Sequence, residues 1–432
     1  MNSPNPGQPV TDPPLWRDEG TVLNVLQIHG TDAGVGGGPI AMLRLQEGVR
    51  KAGVQSRILC MKPTLPDSVA FPRMRGERRL GTVTSRLGFN DLHCLGTFRI
   101  SNLAAYVEAD LLHIHGVHGG YFNYLALPRL TKRKPAIYTL HDMWPFTGHC
   151  VHSFDCDRWK TGCGHCPYPE IPNAIQRDTT SWEWKLKNWS YRRSDFTFVT
   201  PSTWLSELAR QSMLKHFKVM HIPQGIDTEL YRPLDPEISR VALGIPAGKK
   251  VLLYIVRRMN PSHKAAHIKG VDLFARAVKE MPASLKRETV LLLVGEGGEH
   301  LAHELDMASI PLGFVSNDRL KAVVYSAADI LAFPSRAENS PLVLVESMAC
   351  GTPVVAFNVG GVSDVVRHGV TGLLAEPENY KQLSEGIVQL LEDADLRACL
   401  GRQCRTITEK EYPLQLYVDR HVALYRDVLN SM

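Results

Sequence analysis

The sequence predicts an α/β protein with two doubly wound, Rossmann-like parallel sheets, and three observations support this prediction. The chain has 432 residues, which is enough for two domains that each bury a core. Short apolar runs typical of buried strands alternate with helical patterns in both halves. Residues 329–361 show the repeating unit most clearly, as a strand, a loop, a helix and a second strand. We therefore expect each half to form one sheet with helices on both faces.

The composition favours a globular protein and argues against several other classes. Hydrophobic residues make up 44% of the chain and charged residues 22%, which is not the composition of a disordered protein. No run approaches the ~20 apolar residues of a membrane span. Residues 1–20 are rich in Pro, Asp and Asn, so we expect a flexible tail and not a signal peptide. The nine cysteines are then expected to be mostly reduced, in the cytoplasm.

The net charge of +5 is unevenly spread along the chain. Residues 1–225 contain 26 basic and 18 acidic residues, whereas the remainder contains 23 and 26. Such an excess can attract an anionic partner to the first half, such as a lipid diphosphate, with peripheral contact at the inner membrane face. A solvated basic surface is the interpretation that charge alone favours, because such patches are common. We expect no nucleic acid partner, because the chain contains no recognised binding module.

A glycine-rich loop follows the first predicted strand, at residues 21–28. Gly37 and Gly38 end this loop before a helical pattern, and amides of such a loop can hold an anion. The loop does not match a dinucleotide fingerprint, because Pro39 replaces the last glycine. The next strand, at 56–60, also ends without the acidic residue that binds the ribose of NAD. A dehydrogenase is therefore disfavoured.

Histidines mark the ends of two further predicted strands. His113 and His115 lie in the strand at 110–115, and we expect structural roles for both at a buried strand end. The strand at 136–140 is followed directly by His141. Ligands bind at the carboxyl ends of parallel strands, so His141 is well placed to bind a sugar or acceptor hydroxyl.

Four cysteines fall within 17 residues of the first half: Cys150, Cys156, Cys163 and Cys166. Cys163 and Cys166 have the spacing of a metal knuckle, and two more thiols would complete a tetrahedral set. We expect a structural zinc ion here, and reduced cysteines that only pack are the alternative. No cofactor is expected to be required for catalysis.

The unit at 329–361 carries the pattern most relevant to function. Ser340 and Pro341 form a helix start signal, since Ser caps free amides and Pro suits the first helical position. Such a start carries partial positive charge and free amides, so it can hold a phosphate. Glu338 and Glu346 flank it, with seven residues between them, and each can accept hydroxyl hydrogen bonds. The pattern favours a nucleotide-diphospho-sugar, and an ordinary unit with two surface carboxylates is the alternative.

This stretch resembles the E-x7-E signature of glycosyltransferase family 4, whose fold is called GT-B. The resemblance rests on Glu338, Pro341, Glu346 and the run 348–355, with further motifs in the same order over residues 21–430. It implies two Rossmann-like domains with a cleft between them and a C-terminal helix that returns to the first domain. The cysteine-rich insert resembles that of a subgroup associated with exopolysaccharide synthesis.

The resemblance also implies roles for individual residues. Glu346 would bind the ribose, and the catalytic positions would be Glu338, which contacts the transferred sugar, and His141, which binds and orients. The other donor-binding positions of the two loops are Gly37, Gly38, Asn339, Ser340 and Leu342. Residues 312–315 resemble the loop against which the family stacks the nucleotide base.

Two cations are implied to neutralise the donor diphosphate. The family has an Arg at the end of the strand that here begins at Lys250, and a Lys-Gly pair soon after it. We assign Arg258 and Lys269 to these roles, because cations stabilise a diphosphate leaving group. Arg257 is the alternative to Arg258, and Lys264 is an alternative phosphate ligand in a longer loop. Surface cations without a role are the remaining alternative.

The expected domains are an acceptor-side domain at 21–225, a donor-binding domain at 226–410 and a returning helix at 411–432. The expected protein is a cytoplasmic, retaining glycosyltransferase. It would move a hexose from a nucleotide-diphospho-sugar to a polysaccharide or lipid-linked acceptor. The alternatives are a nucleotide-sugar epimerase of GT-B architecture and a non-catalytic binder of sugar nucleotides.

Overall fold

The computed structural model describes residues 22–34, 36–260 and 263–431, so the predicted tail at 1–20 lies outside the described residues. The first half forms a seven-stranded parallel sheet, in the order β3-β2-β1-β4-β5-β6-β7. Its strands are β1 (Asn24–Ile28), β2 (Gln55–Cys60), β3 (Ser68–Ala70), β4 (Leu111–Ile114), β5 (Ala136–Thr139), β6 (Phe196–Thr200) and β7 (Lys218–His221).

The second half forms a six-stranded parallel sheet within the described residues, in the order β10-β9-β8-β11-β12-β13. Its strands are β8 (Lys250–Arg258), β9 (Thr289–Glu296), β10 (Ser309–Gly313), β11 (Ile330–Phe333), β12 (Val354–Phe357) and β13 (Gly372–Ala375). In both sheets the strand order reverses direction once, which leaves a crevice at the carboxyl ends of the strands where ligands of such sheets bind.

Helices connect the strands. Those up to β7 are α1 (Gly37–Lys51), α2 (Glu77–Arg86), α3 (Ala104–Glu108), α4 (Leu127–Thr131), α5 (Thr180–Tyr191) and α6 (Thr203–Gln211). Those after β7 are α7 (Pro236–Ala242), α8 (Lys264–Ile268), α9 (Val271–Glu280), α10 (Ala283–Glu288), α11 (Gly298–Leu305), α12 (Asp318–Ala327), α13 (Leu342–Ala349), α14 (Val362–Val365), α15 (Tyr380–Glu392), α16 (Ala394–Glu411) and α17 (Leu414–Asn430). Of the helices described, none combines the length and the apolar character needed to cross a bilayer.

Each sheet is buried on both faces, as a doubly wound sheet must be. Successive residues of β1 enter different cores, with Val25 on one face and Leu26 on the other. Leu252 and Leu253 of β8 divide in the same way. The predicted fold class, two Rossmann-like α/β domains, is confirmed.

The last helix returns to the first half of the chain. Tyr417 and Val418 of α17 pack in one core with Leu45 and Val49 of α1. The predicted boundary near residue 225 falls between β7 and β8. There the two segments that link the halves run side by side. They are joined by a hydrogen bond of 2.9 Å from the amide of Ile226 to the carbonyl of Tyr412. The α17 helix is therefore the crossover helix expected for GT-B.

Candidate active site

A cavity of about 630 Å³ lies between the two sheets. The first half contributes three predicted site residues to its wall: Gly37, Gly38 and His141. The second half contributes six more: Lys269, Glu338, Asn339, Ser340, Leu342 and Glu346. The structure thus brings together residues that are about 300 positions apart in the sequence.

The glycine-rich loop lies directly against His141. Gly36 has a φ of +96°, which a side chain rarely adopts, and α1 begins at the next residue. A Cβ atom on Gly38 would lie only 3.2 Å from Cγ of His141. The absence of a side chain at Gly38 therefore allows the start of α1 to approach His141 at the cavity wall.

The start of α13 differs from the prediction. Ser340 was expected to cap this helix with Pro341 at the first helical position. The N-cap residue is instead Pro341, no side chain among the described residues caps the helix, and the first helical residue is Leu342. Pro341 has an extended ψ of 109°, which moves the helix start one residue along and leaves Ser340 in the cavity wall. The first amides of α13 are therefore not occupied by a cap and can meet an anion.

Glu338 is held by a cation of its own domain. Nζ of Lys269 lies 2.5 Å from its Oε1, and the side chain of Glu338 is only 10% exposed while that of Lys269 is 40% exposed. The loop that carries Glu338 lies against Gly360, where a Cβ atom would be 1.9 Å from the carbonyl oxygen of Glu338. Lys269 is consequently half open to the cavity, whereas Glu338 is fixed on the wall.

Glu346 is buried and is held by groups from both domains. Its Oε1 lies 2.8 Å from Nη2 of Arg44, which belongs to α1 of the first half, and 3.7 Å from Nζ of Lys321. The hydroxyl of Tyr325 donates to Oε2 at 3.1 Å. Arg44 also lies 3.3 Å from the carboxylate of Asp318, so the ribose position predicted at Glu346 is part of an ion cluster that crosses the cleft.

The two arginines at the end of β8 differ in their position relative to the cavity, and the predicted diphosphate role of Arg258 stays a prediction. Arg258 is absent from the cavity wall, and its Nε pairs with Glu296 at 3.0 Å, whereas Arg257 lies in the wall. Ile255 and Val256 also line the cavity, so the regular alternation of a strand does not hold at this end of β8. Lys264 begins α8, and its side chain lies outside the described residues.

Asn339 joins the two domains next to His141. Its Nδ2 donates to the carbonyl of His141 at 2.9 Å, and its Oδ1 accepts from the hydroxyl of Ser202 at 2.6 Å. Both partners belong to the first half. The Asn339 side chain is therefore occupied by these contacts, which leaves its backbone amide as the group available to a donor.

The four cysteines line one small cavity away from the cleft. All are free thiols, and Nε2 of His149 lies 3.2 Å from Sγ of Cys166. Burial raises the pKa of Cys150 to about 11 and that of Cys163 to about 12. Thiols are the right donors for zinc, but no three His, Cys, Asp or Glu side chains in the described ranges are placed to hold a metal ion. Zinc at these thiols stays a prediction.

Several residues around Glu346 were not singled out from the sequence. Arg44, Asp318 and Lys321 line the cavity, and Tyr325 is a buried partner of the Glu346 carboxylate. Each looks like an ordinary helical residue in the sequence. Arg44 is seven residues after Gly37 and so lies on the same face of α1 as the glycine loop, which was the one available signal. The loop at 312–315 contributes Phe314 and Val315 to the wall.

Comparison with protein families and relatives agrees with this architecture. The family model "Glycosyltransferase Family 4" matches residues 35–230, and "Glycosyl transferases group 1" matches residues 236–406. N-acetyl-alpha-D-glucosaminyl L-malate synthase of Bacillus anthracis is 30% identical over 340 residues, 77% of this chain and 78% of that protein. D-inositol 3-phosphate glycosyltransferase of Thermobispora bispora is 34% identical over 198 residues, 43% of this chain and 45% of that protein. The chain spans about half the length of the first curated relatives it matches.

Solved structures share the fold at low sequence identity. Sucrose-phosphate synthase from Thermosynechococcus elongatus superposes with a TM-score of 0.70 at 20% identity, over 95% of this chain and 100% of that one. Anabaena HepE in complex with UDP-glucose gives 0.63 at 17%, over 94% and 100%. Together with the family models and the Bacillus anthracis relative, the two parallel-sheet domains show that the chain belongs to glycosyltransferase family 4, a family of transferase enzymes with the GT-B fold.

Proposed function

We propose that this chain is a retaining glycosyltransferase that moves a hexose from a nucleotide-diphospho-sugar to a polysaccharide or lipid-linked acceptor. One observation carries the proposal: an uncapped helix start lies in the cleft between two carboxylates, Glu338 and Glu346. The helix amides suit a diphosphate, and the carboxylates suit the hydroxyl groups of the rings on its two sides.

The charges of the cavity support the same donor. Lys269 and Arg257 lie in the wall near the helix start and supply the positive charge that a departing diphosphate requires. Lys269 is paired with Glu338 in this structure, so a bound phosphate would take up a cation that is already in place. This role needs no metal ion.

The proposed transfer proceeds with retention. The acceptor hydroxyl attacks C1 of the hexose as the bond from C1 to the diphosphate oxygen breaks. The acceptor proton passes to the departing diphosphate on the same face, so the products are the glycoside and the nucleoside diphosphate. The role we propose for Glu338 is to hold the hexose rather than to attack it, which is supported by its ion pair with Lys269. Closure of the two domains would exclude water from this step.

The donor test is a thermal-stability screen of the purified chain with UDP, GDP and ADP, followed by the matching sugar nucleotides. Binding to the folded state raises the melting temperature, and the rise grows with the logarithm of the ratio of free ligand concentration to Kd. We expect one base to stabilise, and we would test UDP first because the HepE structures hold UDP and UDP-glucose. Stabilisation by none of the three nucleotides would refute the proposal.

Product analysis separates the proposed transfer from its two alternatives. An epimerase would convert the sugar nucleotide with no acceptor present, and a non-catalytic binder would leave it unchanged with any acceptor. A transferase releases the nucleoside diphosphate together with a new glycoside only when acceptor is added. Proton NMR of the new anomeric signal then shows whether the configuration is retained.

We also propose that the acceptor domain contacts an anionic membrane surface from the cytoplasmic side. Support comes from α5, where Trp182 and Trp189 are 63% and 46% exposed while Trp184 packs into the core. Lys185 and Arg193 lie over these two exposed rings, so aromatic and cationic groups share one surface. Sedimentation with vesicles containing anionic lipid tests this, and equal binding by wild type and a Trp182→Ala/Trp189→Ala variant would contradict it.

A further inference from the structure

His141 is held from behind by a chain of buried polar side chains. Its Nε2 lies 3.0 Å from Nδ1 of His115, and Nε2 of His115 lies 3.1 Å from Oε1 of Gln27. The amide nitrogen of Gln27 donates to the hydroxyl oxygen of Ser56 at 2.9 Å. His115, Gln27 and Ser56 are all buried. This series of hydrogen bonds therefore runs from the interior of the first sheet to the cavity wall.

The donor and acceptor of each hydrogen bond in this series follow from the orientation of the Gln27 amide at its buried end. Because the nitrogen of Gln27 donates to Ser56, the oxygen of Gln27 is the acceptor that faces His115. His115 then carries its proton on Nε2, and a neutral imidazole has a lone pair on its other nitrogen. His141 must therefore donate from Nε2 to Nδ1 of His115. This leaves a lone pair on Nδ1 of His141.

The rings are also fixed in position and in charge. His115 is stacked between His113, with ring centroids 4.2 Å apart, and His141, with centroids 5.3 Å apart. Burial lowers the pKa of His141 to about 3 and that of His115 well below its usual range, so both rings are neutral near pH 7. A neutral ring has one donor and one acceptor, and the neighbours decide which is which.

The free nitrogen of His141 is available to a ligand. His141 lines the cleft cavity, and its Nδ1 receives no hydrogen bond from the part of the chain that the structure describes. We place that nitrogen on the cavity side of the ring, because Nε2 faces His115 and the residue lies in the cavity wall. A neutral acceptor at this place suits the hydroxyl group of a sugar.

We propose that His115 and Gln27 are positioning residues, which hold His141 in the tautomer whose Nδ1 accepts a hydrogen bond from a hydroxyl of the transferred hexose. The assignment rests on the proposed function for the identity of the hexose. It makes the site selective, because a deoxy-hexose without that hydroxyl would leave the acceptor unpaired.

The first test measures the tautomer directly. In the full chain labelled with ¹⁵N-histidine, two-bond proton–nitrogen correlations report which nitrogen of each ring carries the proton, and His141→Gln identifies the His141 signals. We expect His141 to be protonated on Nε2 in the wild type. In Gln27→Met, which removes the acceptor for His115, we expect protonated Nδ1 of His141 to appear.

Gln46→Met is the matched control. Gln46 is also a buried glutamine that donates to Ser56, but its bond at 3.3 Å goes to the backbone carbonyl and does not continue to His115. We expect its His141 signals to match the wild type. We expect the two variants to differ in catalysis as well. Gln27→Met should lower kcat/KM by roughly two- to tenfold, the range for one neutral hydrogen bond, and leave nucleoside diphosphate affinity unchanged.

Three results would overturn the proposal. One is protonation of His141 on Nδ1 in the wild type, which needs no variant to fold. The second is an unchanged His141 tautomer in Gln27→Met, and the third is the same tautomer change in Gln46→Met. The tautomer is read without turnover, so a chain that binds no sugar nucleotide but shows His141 protonated on Nε2 would refute the proposed function and leave the positioning of His141 intact. If donors of the hexose and of its deoxy forms gave equal kcat/KM while the His141 tautomer was intact, the hexose hydroxyl would not be the group that binds Nδ1 of His141.

Discussion

Replacing Glu346 with glutamine should weaken nucleoside diphosphate binding roughly 10- to 150-fold. The carboxylate has about four lone-pair sites. Arg44 at 2.8 Å and Tyr325 at 3.1 Å occupy two of them, and Lys321 lies farther away at 3.7 Å. Room therefore remains for at least one ribose hydroxyl. A hydrogen bond to a charged group contributes about 1.5–3 kcal/mol, which corresponds to the stated range in Kd. Glutamine keeps the shape and one acceptor oxygen, so the helix around it should fold.

Isothermal titration of the nucleoside diphosphate found in the screen measures this loss, and Glu338→Gln is the control. Glu338 is expected to contact the transferred sugar, which a nucleoside diphosphate lacks. Its replacement also frees Lys269, now 2.5 Å away, for the phosphates. Affinity in Glu338→Gln should therefore be unchanged or tighter while transfer slows. A Glu346→Gln variant that binds within about threefold of the wild type, or equal losses in both variants, would refute the assignment of the ribose to Glu346.

Two further predictions concern stability, and a third concerns metal content. Arg44→Met breaks the buried pair between Arg44 and Glu346. It should lower the melting temperature of the nucleotide-free chain by about 4–8 °C, because a loss of about 2 kcal/mol remains after Lys321 partly compensates the charge of Glu346. The control is Lys51→Met, in an exposed pair on the same helix, which should shift the melting temperature by about 1 °C or less. Buried imidazoles have pKa values lowered by burial from 6.5 to about 3 at His141 and about 4 at His152 and His421, so the unfolded state takes up more protons below pH 6.5. The free energy of unfolding, from urea titrations, should be highest above pH 6.5 and fall towards pH 4, and a flat profile from pH 7 to 5 would contradict this. Metal analysis of the purified chain should find about one zinc per chain at the four-cysteine cavity, and less than ~0.2 would discard zinc.

The sequence was sufficient for the fold because periodic patterns determine each element locally. The first strand predicted in the unit at 329–361 is β11, and the strand predicted to begin at Lys250 is β8, which begins at that residue. The choice between Arg257 and Arg258 could not be made from such local patterns. The pairing of β8 with β9 shifts between Ile255 and Arg258, so side-chain direction cannot be counted by alternation from the buried part of the strand. Arg258 was assigned from its place at the strand end, which does not show whether its side chain faces the cavity.

Contacts between distant segments account for the other misses. Arg44 has no unusual feature in the sequence, and its role depends on α13 of the other domain coming within 2.8 Å. Lys187 of α5 looks like a basic surface residue, yet it is fully buried and donates to the carbonyls of Trp144 and Thr147 at 2.9 and 3.0 Å. Burial lowers its pKa to about 8. Both cations have partners that are determined by tertiary packing and not by local sequence.

The two carboxylates of the cleft differ in a way that links donor binding to the arrangement of the domains. Glu338 is paired within its own domain, with Lys269, so its charge is balanced whether or not the domains are close together. Glu346 is paired across the cleft with Arg44, so its surroundings change whenever the domains separate. Binding and domain approach must then affect each other to the same extent, because coupling between two equilibria is reciprocal. A ribose that completes the hydrogen bonding of Glu346 beside Arg44 would stabilise the close arrangement. The same arrangement brings Asn339 to the carbonyl of His141. A nucleotide that stabilises the close arrangement would therefore also stabilise the hexose position.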